Sequence, residues 1–129
     1  MVNYMRYGPL LLMVFALNAC TSVSVDDYAD SEPLFVPESF FSGSLTAYGV
    51  VKNYKGFVSR SFAADITACW QDGAGTLDER FIFDDGEKQT RVWTLEKNLD
   101  GSYNATAGDV RGVGRARVAG NAMFLDYVL

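Results

Sequence analysis

The acidic and the basic side chain that are best placed to act together in this sequence belong to Glu79 and Arg91. They lie on either side of the turn-like run 84–86 (DDG). If that run is a three-residue hairpin loop with Gly86 in the left-handed conformation, the register sets Glu79 directly opposite Arg91. Both side chains would then share a face with large apolar residues. A carboxylate and a guanidinium in apolar surroundings are groups that commonly hold the polar end of a ligand in a pocket.

Three interpretations of this pair stay open at the level of sequence. In the first, Glu79 and Arg91 anchor the headgroup of a ligand. In the second, they form a buried salt bridge that is costly to break but has no chemical role. In the third, the strands pair in a shifted register, which would turn both side chains toward water.

Residue types that the chain lacks exclude most familiar catalytic and metal sites. The 129 residues include no histidine, which removes the usual Ser-His-Asp and Cys-His nucleophiles and every His-ligated metal site. Two cysteines are too few for a zinc ribbon or an iron–sulfur cluster. The formal net charge of -5 disfavours nucleic acid as a partner. We therefore predict no enzyme activity, no metal site and no cofactor.

Cys20 is the cysteine with a recognisable chemical context. Residues 1–19 carry Arg6 as their charged side chain and then the apolar stretch 9–17 (PLLLMVFAL), which is the order of an export signal. That stretch is too short to span a bilayer core, which needs about 20 apolar residues. The ending Leu17-Asn18-Ala19-Cys20 resembles the lipobox of bacterial lipoproteins. This resemblance implies a signal peptide over residues 1–19 and acylation, as with palmitate, of Cys20.

A lipid anchor at Cys20 would decide where the protein is found. Several acyl chains hold a protein firmly in a membrane, because each buried methylene contributes about 0.8 kcal/mol to the free energy of membrane binding. Thr21, and not aspartate, follows the cysteine, which in such lipoproteins implies the outer membrane rather than the inner one. We therefore expect the protein in the cell envelope, facing the periplasm. The acidic, polar and proline-containing residues 20–39 are predicted to be a flexible tether.

Residues 40–129 predict a single all-β domain. After Phe40 no segment has sustained helical periodicity, and short β-rich runs alternate with turns that contain aspartate and glycine. Seven strands are predicted, over Ser44–Asn53, Phe57–Trp70, Thr76–Phe83, Lys88–Lys97, Ser102–Ala107, Val113–Ala119 and Ala122–Leu129. Strands joined in this way form an antiparallel meander, which protects its edges best by curling into a barrel.

Alternation along the predicted strands separates an apolar face from a wet one. Besides Glu79 and Arg91, the apolar residues expected to line the interior are Phe62, Ile66, Trp70, Phe81, Phe83 and Trp93. The hairpin register predicts three further pairs: Phe83 with Glu87, Phe81 with Gln89 and Leu77 with Trp93. Arg60 interrupts the apolar face near the start of the second predicted strand.

Two further features are weaker, and the first of them, Cys69, lies on the predicted wet face. Cys69 has no partner if Cys20 is acylated, so it is either a reactive or intermolecular thiol or an inert, partly shielded one. Arg111, Arg115 and Arg117 share one strand face, and they are either an ordinary solvated surface or a stripe for anionic lipid headgroups.

The order of several short motifs carries a resemblance over nearly all of residues 10–129. After the lipobox these are Val25-Asp26-Asp27-Tyr28, Phe40-Phe41-Ser42-Gly43, Gly75-Thr76-Leu77-Asp78-Glu79, Asp85-Gly86, Arg91-Val92-Trp93-Thr94-Leu95, Gly114-Arg115 and Ala119-Gly120-Asn121-Ala122. Together they resemble the bacterial lipoprotein family known as domain of unknown function 3833. The resemblance implies a lipocalin-like, calycin-type barrel with a connection to lipids, and no catalytic residue. Family members continue with further strands, so it also implies a barrel that is incomplete at the C-terminus, as in a truncated chain.

Two functions follow as hypotheses. The first is non-catalytic binding of a lipid or other apolar ligand inside the barrel, with Glu79 and Arg91 as polar anchors. The alternative is a packed barrel without a cavity that serves as a structural or protein-interaction module of the envelope. The many aromatic residues favour a filled interior, because large side chains occupy small barrels.

Overall fold

The structure, a computed structural model, describes residues 22–129 and consists chiefly of one antiparallel sheet. Its seven strands neighbour one another in chain order. They are β1 (Gly43–Lys52), β2 (Val58–Gln71), β3 (Ala74–Phe83), β4 (Lys88–Lys97), β5 (Tyr103–Thr106), β6 (Arg111–Ala119) and β7 (Ala122–Val128). The sheet curls into a half-barrel, which confirms the predicted all-β meander and is consistent with an incomplete barrel. The expected signal peptide over 1–19 and the lipidated Cys20 lie outside the described residues.

The turn between β3 and β4 fixes the register on which the candidate site depends. Gly86 has a φ of 87°, and the Phe83 amide donates a hydrogen bond of 2.9 Å to the carbonyl of Glu87. Glu79 therefore lies opposite Arg91, as predicted, and the interpretation with a shifted register is wrong. The pairs Phe81–Gln89 and Leu77–Trp93 are confirmed as well.

The turn between β2 and β3 is shorter than the sequence suggests. Asp72 and Gly73 both have positive φ values, 53° and 79°, and Gln71 pairs directly with Ala74. This is a two-residue hairpin turn whose twist matches that of the flanking strands. The predicted strands, which end at Trp70 and resume at Thr76, are therefore too short, because Gln71 belongs to β2 and Ala74 and Gly75 belong to β3.

The half-barrel has two different ends. The connections 72–73, 98–102 and 120–121 lie at the closed end, and 53–57, 84–87 and 107–110 lie at the open end. Large side chains fill the concave face toward the closed end, where Leu95 and Tyr103 are fully buried. The core there consists of Ile66, Ala68, Leu77, Trp93, Leu95, Tyr103, Ala105 and Ala116.

Residues 22–42, here called the strap, pack across β6 and the closed end. The strap contains a short 3-10 helix (Val25–Tyr28) and a short helix α1 (Pro37–Phe40). Its Phe35 amide donates to the carbonyl of Gly120 at 2.8 Å. Val25 is buried against the sheet, and burial of such apolar side chains stabilises an ordered segment. From Ser22 onward the chain thus departs from the flexible tether that its acidic, polar composition predicts.

Candidate functional site

A cavity of about 530 Å³ occupies the concave face at the open end of the half-barrel. Strands β2, β3 and β4 provide its floor, and residues of the two edge strands, such as Val51 of β1 and Tyr127 of β7, provide its sides. Seven of the residues predicted for a ligand site line this cavity: Phe62, Ile66, Glu79, Phe81, Phe83, Arg91 and Trp93. The structure therefore brings together residues from three different strands, and the hairpin register is what aligns them.

Three phenylalanine rings form the apolar side of the cavity nearest the β3–β4 turn. Phe62 lies edge-on to Phe81 at 5.3 Å and to Phe83 at 5.9 Å between ring centroids. Gly49 of β1 gives the Phe62 ring its space, because an added Cβ there would overlap the ring. Sequence reasoning missed Gly49, although a glycine inside a strand is a known sign of close approach by a neighbouring group.

Glu79 is the half-buried carboxylate of this cavity. Its Oε2 accepts a hydrogen bond of 3.2 Å from the indole Nε1 of Trp93. Burial raises the pKa of Glu79 above the ordinary value, and the Trp93 hydrogen bond and the charge of Arg91 oppose that rise without cancelling it. Glu79 thus takes up a proton more readily than a glutamate in water does.

The direct partner of Arg91 is Asp109, which lies in the loop between β5 and β6. Its Nε donates to Asp109 Oδ1 at 3.0 Å, and its Nη2 donates to Oδ2 at 2.8 Å, which is the bidentate geometry that guanidinium and carboxylate favour. The Asp109 hydrogen bond raises the pKa of Arg91, and Arg91 lowers that of Asp109. Arg91 and Glu79 form no ion pair within 4.0 Å in the described part of the chain, so the interpretation as a mutual salt bridge does not hold.

Arg60 lies at the rim of the cavity. Its guanidinium carbon lies 3.5 Å from the centre of the Phe83 ring, a cation–π contact. Its Nε is 3.5 Å from an Asp85 oxygen and its Nη2 is 3.2 Å from a Glu87 oxygen. The interruption of the apolar pattern at position 60 is therefore explained by an aromatic face and two turn carboxylates.

Trp70 lies outside the cavity, at the closed end. Its ring packs edge-on against Tyr103 at 6.2 Å between centroids. It also covers Gly75, where an added Cβ would come within 2.6 Å of the indole. Trp70 thus packs against the buried core of the closed end, in contrast to the lining position expected from strand alternation alone.

The remaining polar candidates lie apart from the cavity. Cys69 is exposed and forms no disulfide among residues 22–129. In the arginine stripe, Arg115 pairs with Asp100 and Arg117 with Asp26, so that acidic partners face two of its three charges. Hydrogen bonds from Ser102 and then from Arg115 lower the pKa of Asp100 to about 2.

Metal sites and membrane-spanning helices are two further features to consider in the described part of the chain. Over residues 22–129 no group of three or more His, Cys, Asp or Glu side chains is arranged to hold a metal ion. In the same part of the chain no helix has the length and apolar character needed to cross a membrane.

Comparison with known proteins places the chain in a family. No curated protein and no solved structure matches it. A family model with the description "Protein of unknown function (DUF3833)" matches residues 14–129. This match includes all seven strands, the strap and every residue of the cavity. The chain therefore belongs to the DUF3833 family of proteins of unknown function.

Proposed function

We propose that the protein binds a lipid or another apolar ligand, without catalysis, in the cavity at the open end of its half-barrel. The cavity of about 530 Å³ carries this proposal. Ligand sites are typically clefts of roughly 300–1,000 Å³ with mainly apolar walls and a few polar groups. Here the walls are mainly apolar, with five aromatic residues among them, and Glu79 and Arg91 supply charged groups between these apolar side chains.

The two charged residues differ in what they offer a ligand. The Arg91 guanidinium is already held by Asp109 through two hydrogen bonds. Glu79 uses Oε2 to accept the bond from Trp93, which leaves Oε1 for a donor on the ligand. The arrangement therefore favours a ligand whose apolar body lies on the phenylalanine rings and whose polar end carries a hydroxyl, amide or protonated group.

The alternative function, a packed interaction module, has support from the closed end only. There, Tyr103 and Leu95 are fully buried and the strap covers the end of the sheet. The open end has space where a packed barrel would have side chains. For this reason ligand binding is the function that the geometry supports best.

The proposal includes the location of the protein in the cell. The lipobox-like residues 17–20 support an acylated Cys20 and an envelope location, with the outer membrane favoured by Thr21. A tethered protein of this kind would meet lipid as its nearest apolar ligand.

Native mass spectrometry tests the proposed binding. An exported form with Cys20→Ala, purified without detergent, is expected to carry an adduct with the mass of a lipid. Circular dichroism on the same sample would establish that the β-sheet is intact. A folded protein that shows the mass of the apoprotein alone would overturn the proposal and favour the packed module.

A further inference from the structure

We infer that the hairpin between β1 and β2, residues 50–59, is a docking surface for a phospholipid membrane with anionic headgroups. The inference rests on the proposed function, because it gives the cavity a source of lipid. Three observations carry it: the apolar side chains that the hairpin exposes, its charge, and its position beside the cavity.

The hairpin exposes large apolar side chains at the very end of the sheet. Tyr54 is 93% exposed, Phe57 68% and Val58 58%. Tyrosine is enriched at membrane interfaces, where its ring enters the boundary region and its hydroxyl stays with the headgroups, and phenylalanine adds apolar surface that is buried in the same region. A cluster of this kind on one hairpin differs from the scattered apolar residues found on most protein surfaces.

The charge of the hairpin is opposite to that of the whole chain. Residues 50–59 contain Lys52 and Lys55 and no acidic residue, whereas the chain has a net charge of -5. Among the described residues neither lysine has a carboxylate within 4.0 Å. Asp85 and Glu87, which lie at the same end of the sheet, are paired with Arg60. The two lysines thus remain available to anionic headgroups, which attract such side chains near a membrane surface.

The tip of the hairpin is held in one shape before any contact is made. The Asn53 side chain accepts hydrogen bonds from the amides of Lys55 at 3.0 Å and Phe57 at 3.1 Å. Gly56 takes a φ of 86°, which closes the loop. Little conformational entropy is therefore lost when the tip meets a surface.

The hairpin also continues directly into the cavity. Val51 of β1 and Arg60 of β2 are partners across the hairpin, and both line the cavity. A membrane that contacts Tyr54 and Phe57 would lie at the mouth of the cavity. An acyl chain that moves between bilayer and cavity would then pass the exposed apolar side chains of the hairpin, which lowers the cost of leaving the bilayer.

Hydrogen exchange on vesicles tests this docking. The full chain is incorporated into vesicles of phosphatidylcholine alone or of phosphatidylcholine mixed with phosphatidylglycerol, and the amides of residues 52–58 are followed by mass spectrometry. We expect several-fold slower exchange on the anionic vesicles. The double variant Lys52→Gln/Lys55→Gln is expected to lose this several-fold protection and to exchange equally fast on both kinds of vesicle, because each lysine contributes to attraction at the surface. The double variant Tyr54→Ser/Phe57→Ser should also lose the protection from exchange, because it removes the apolar side chains that would enter the membrane.

Leu99→Ser supplies the matched control. Leu99 is also fully exposed, but its loop lies at the closed end. Loss of the leucine side chain should therefore leave the hairpin amides protected from exchange. Equal exchange on the two kinds of vesicle would overturn the inference. So would protection that persists in both double variants, or equal slowing of residues 98–102.

A titration with a soluble fluorescent fatty acid, without vesicles, separates this inference from the proposed function. The hairpin variants are expected to bind that probe like the parent chain, since none of the four substituted side chains lines the cavity. Loss of vesicle protection with retained probe binding would support docking. A parent chain that docks on vesicles but binds no probe would overturn the cavity function alone.

Discussion

Glu79 is the residue at which the chemistry of the cavity can be tested most simply. It lies among aromatic side chains with one carboxylate oxygen bonded to Trp93. Its charged form lacks part of the hydration that it would have in the unfolded chain. Burial therefore makes the folded protein bind the Glu79 proton more tightly than the unfolded chain does.

Glu79→Gln is expected to stabilise the protein at neutral pH. Since the folded pKa is raised, the parent chain loses stability as the pH rises through it, and the glutamine variant has no such loss. The gain should shrink at acid pH, where Glu79 is protonated in both states. Urea unfolding at several pH values measures this, with Asp78→Asn as the control because it removes a neighbouring charge. Unchanged stability together with unchanged ligand binding would contradict the role given to Glu79.

Gly75 leaves the space in which the Trp70 ring packs. The Trp70 indole occupies the place of a Cβ at position 75, so Gly75→Ala must displace a large core ring. We expect a loss of about 1–3 kcal/mol in the free energy of unfolding, the usual effect of overpacking. Gly108→Ala is the control, because nothing lies within 4 Å of an added Cβ there. Equal unfolding midpoints for the two variants would contradict this description of the core.

At the scale of elements, the strap is held to the sheet through the turn between β6 and β7. Gly120 has a φ of 53°, and an added Cβ would overlap the carbonyl of Tyr28 in the strap. Tyr28 in turn packs its ring against Phe124 of β7 at 5.9 Å. The strap and the turn therefore share one close contact that only glycine permits.

Gly120→Ala is expected to release the strap from the sheet. Gly73→Ala is a matched control, since it also places alanine at positive φ in a two-residue turn but meets nothing within 4 Å. In both variants the free energy of unfolding should fall by about 1–2 kcal/mol, because alanine adopts the left-handed conformation less readily than glycine. The Gly120 variant alone should then become sensitive to limited proteolysis within residues 22–36. Equal resistance of both variants would contradict the contact.

A second attachment of the strap depends on pH. The Tyr103 hydroxyl donates to Glu38 Oε1 at 2.8 Å, and Lys97 lies 3.2 Å from the same oxygen. Burial alone would raise the pKa of Glu38, but the hydrogen bond from Tyr103, a backbone hydrogen bond at Glu38 itself and the contact with Lys97 together outweigh it and lower the pKa. The stabilisation is therefore complete above the ordinary glutamate range and is lost as the pH falls through the lowered value.

Tyr103→Phe is expected to destabilise the protein by about 1 kcal/mol at neutral pH through loss of this hydrogen bond. The difference from the parent chain should become smaller at acid pH, where Glu38 is protonated. Thermal unfolding followed at two pH values would measure it. A difference that is independent of pH would show that the Glu38 charge is not involved.

Strand positions could be predicted from sequence where local chemistry decides them. β4 has the predicted bounds Lys88–Lys97, because turns that contain aspartate and glycine lie before and after it in the sequence. The direct partner of Arg91 could not be predicted, since Asp109 reaches it from a loop 18 residues away. The ordered strap also escaped prediction, because its acidic composition suggests a tether and the contacts that hold it are with distant strands.

At the scale of the whole molecule, one sheet combines a packed end with an open one. Placement of Trp70 against the core and of Phe62 in the cavity distinguishes the two ends of the same strand, β2. Alternation predicts that both residues share a face, but it does not predict where along the strand the interior is filled. That difference determines whether the protein is a binder or a packed module.

A binding titration with a cavity-filling variant tests the central claim most directly. The full chain, Ala47→Trp and Ala63→Trp are titrated with a fluorescent fatty acid in the absence of vesicles. Ala47 lines the cavity, whereas Ala63 is its matched control on the opposite face of the sheet. We predict saturable binding by the parent chain and by Ala63→Trp, and binding weaker by about tenfold or more, about 1.4 kcal/mol, for Ala47→Trp. Equal binding by all three folded proteins, or no saturable binding by the parent, would contradict the account.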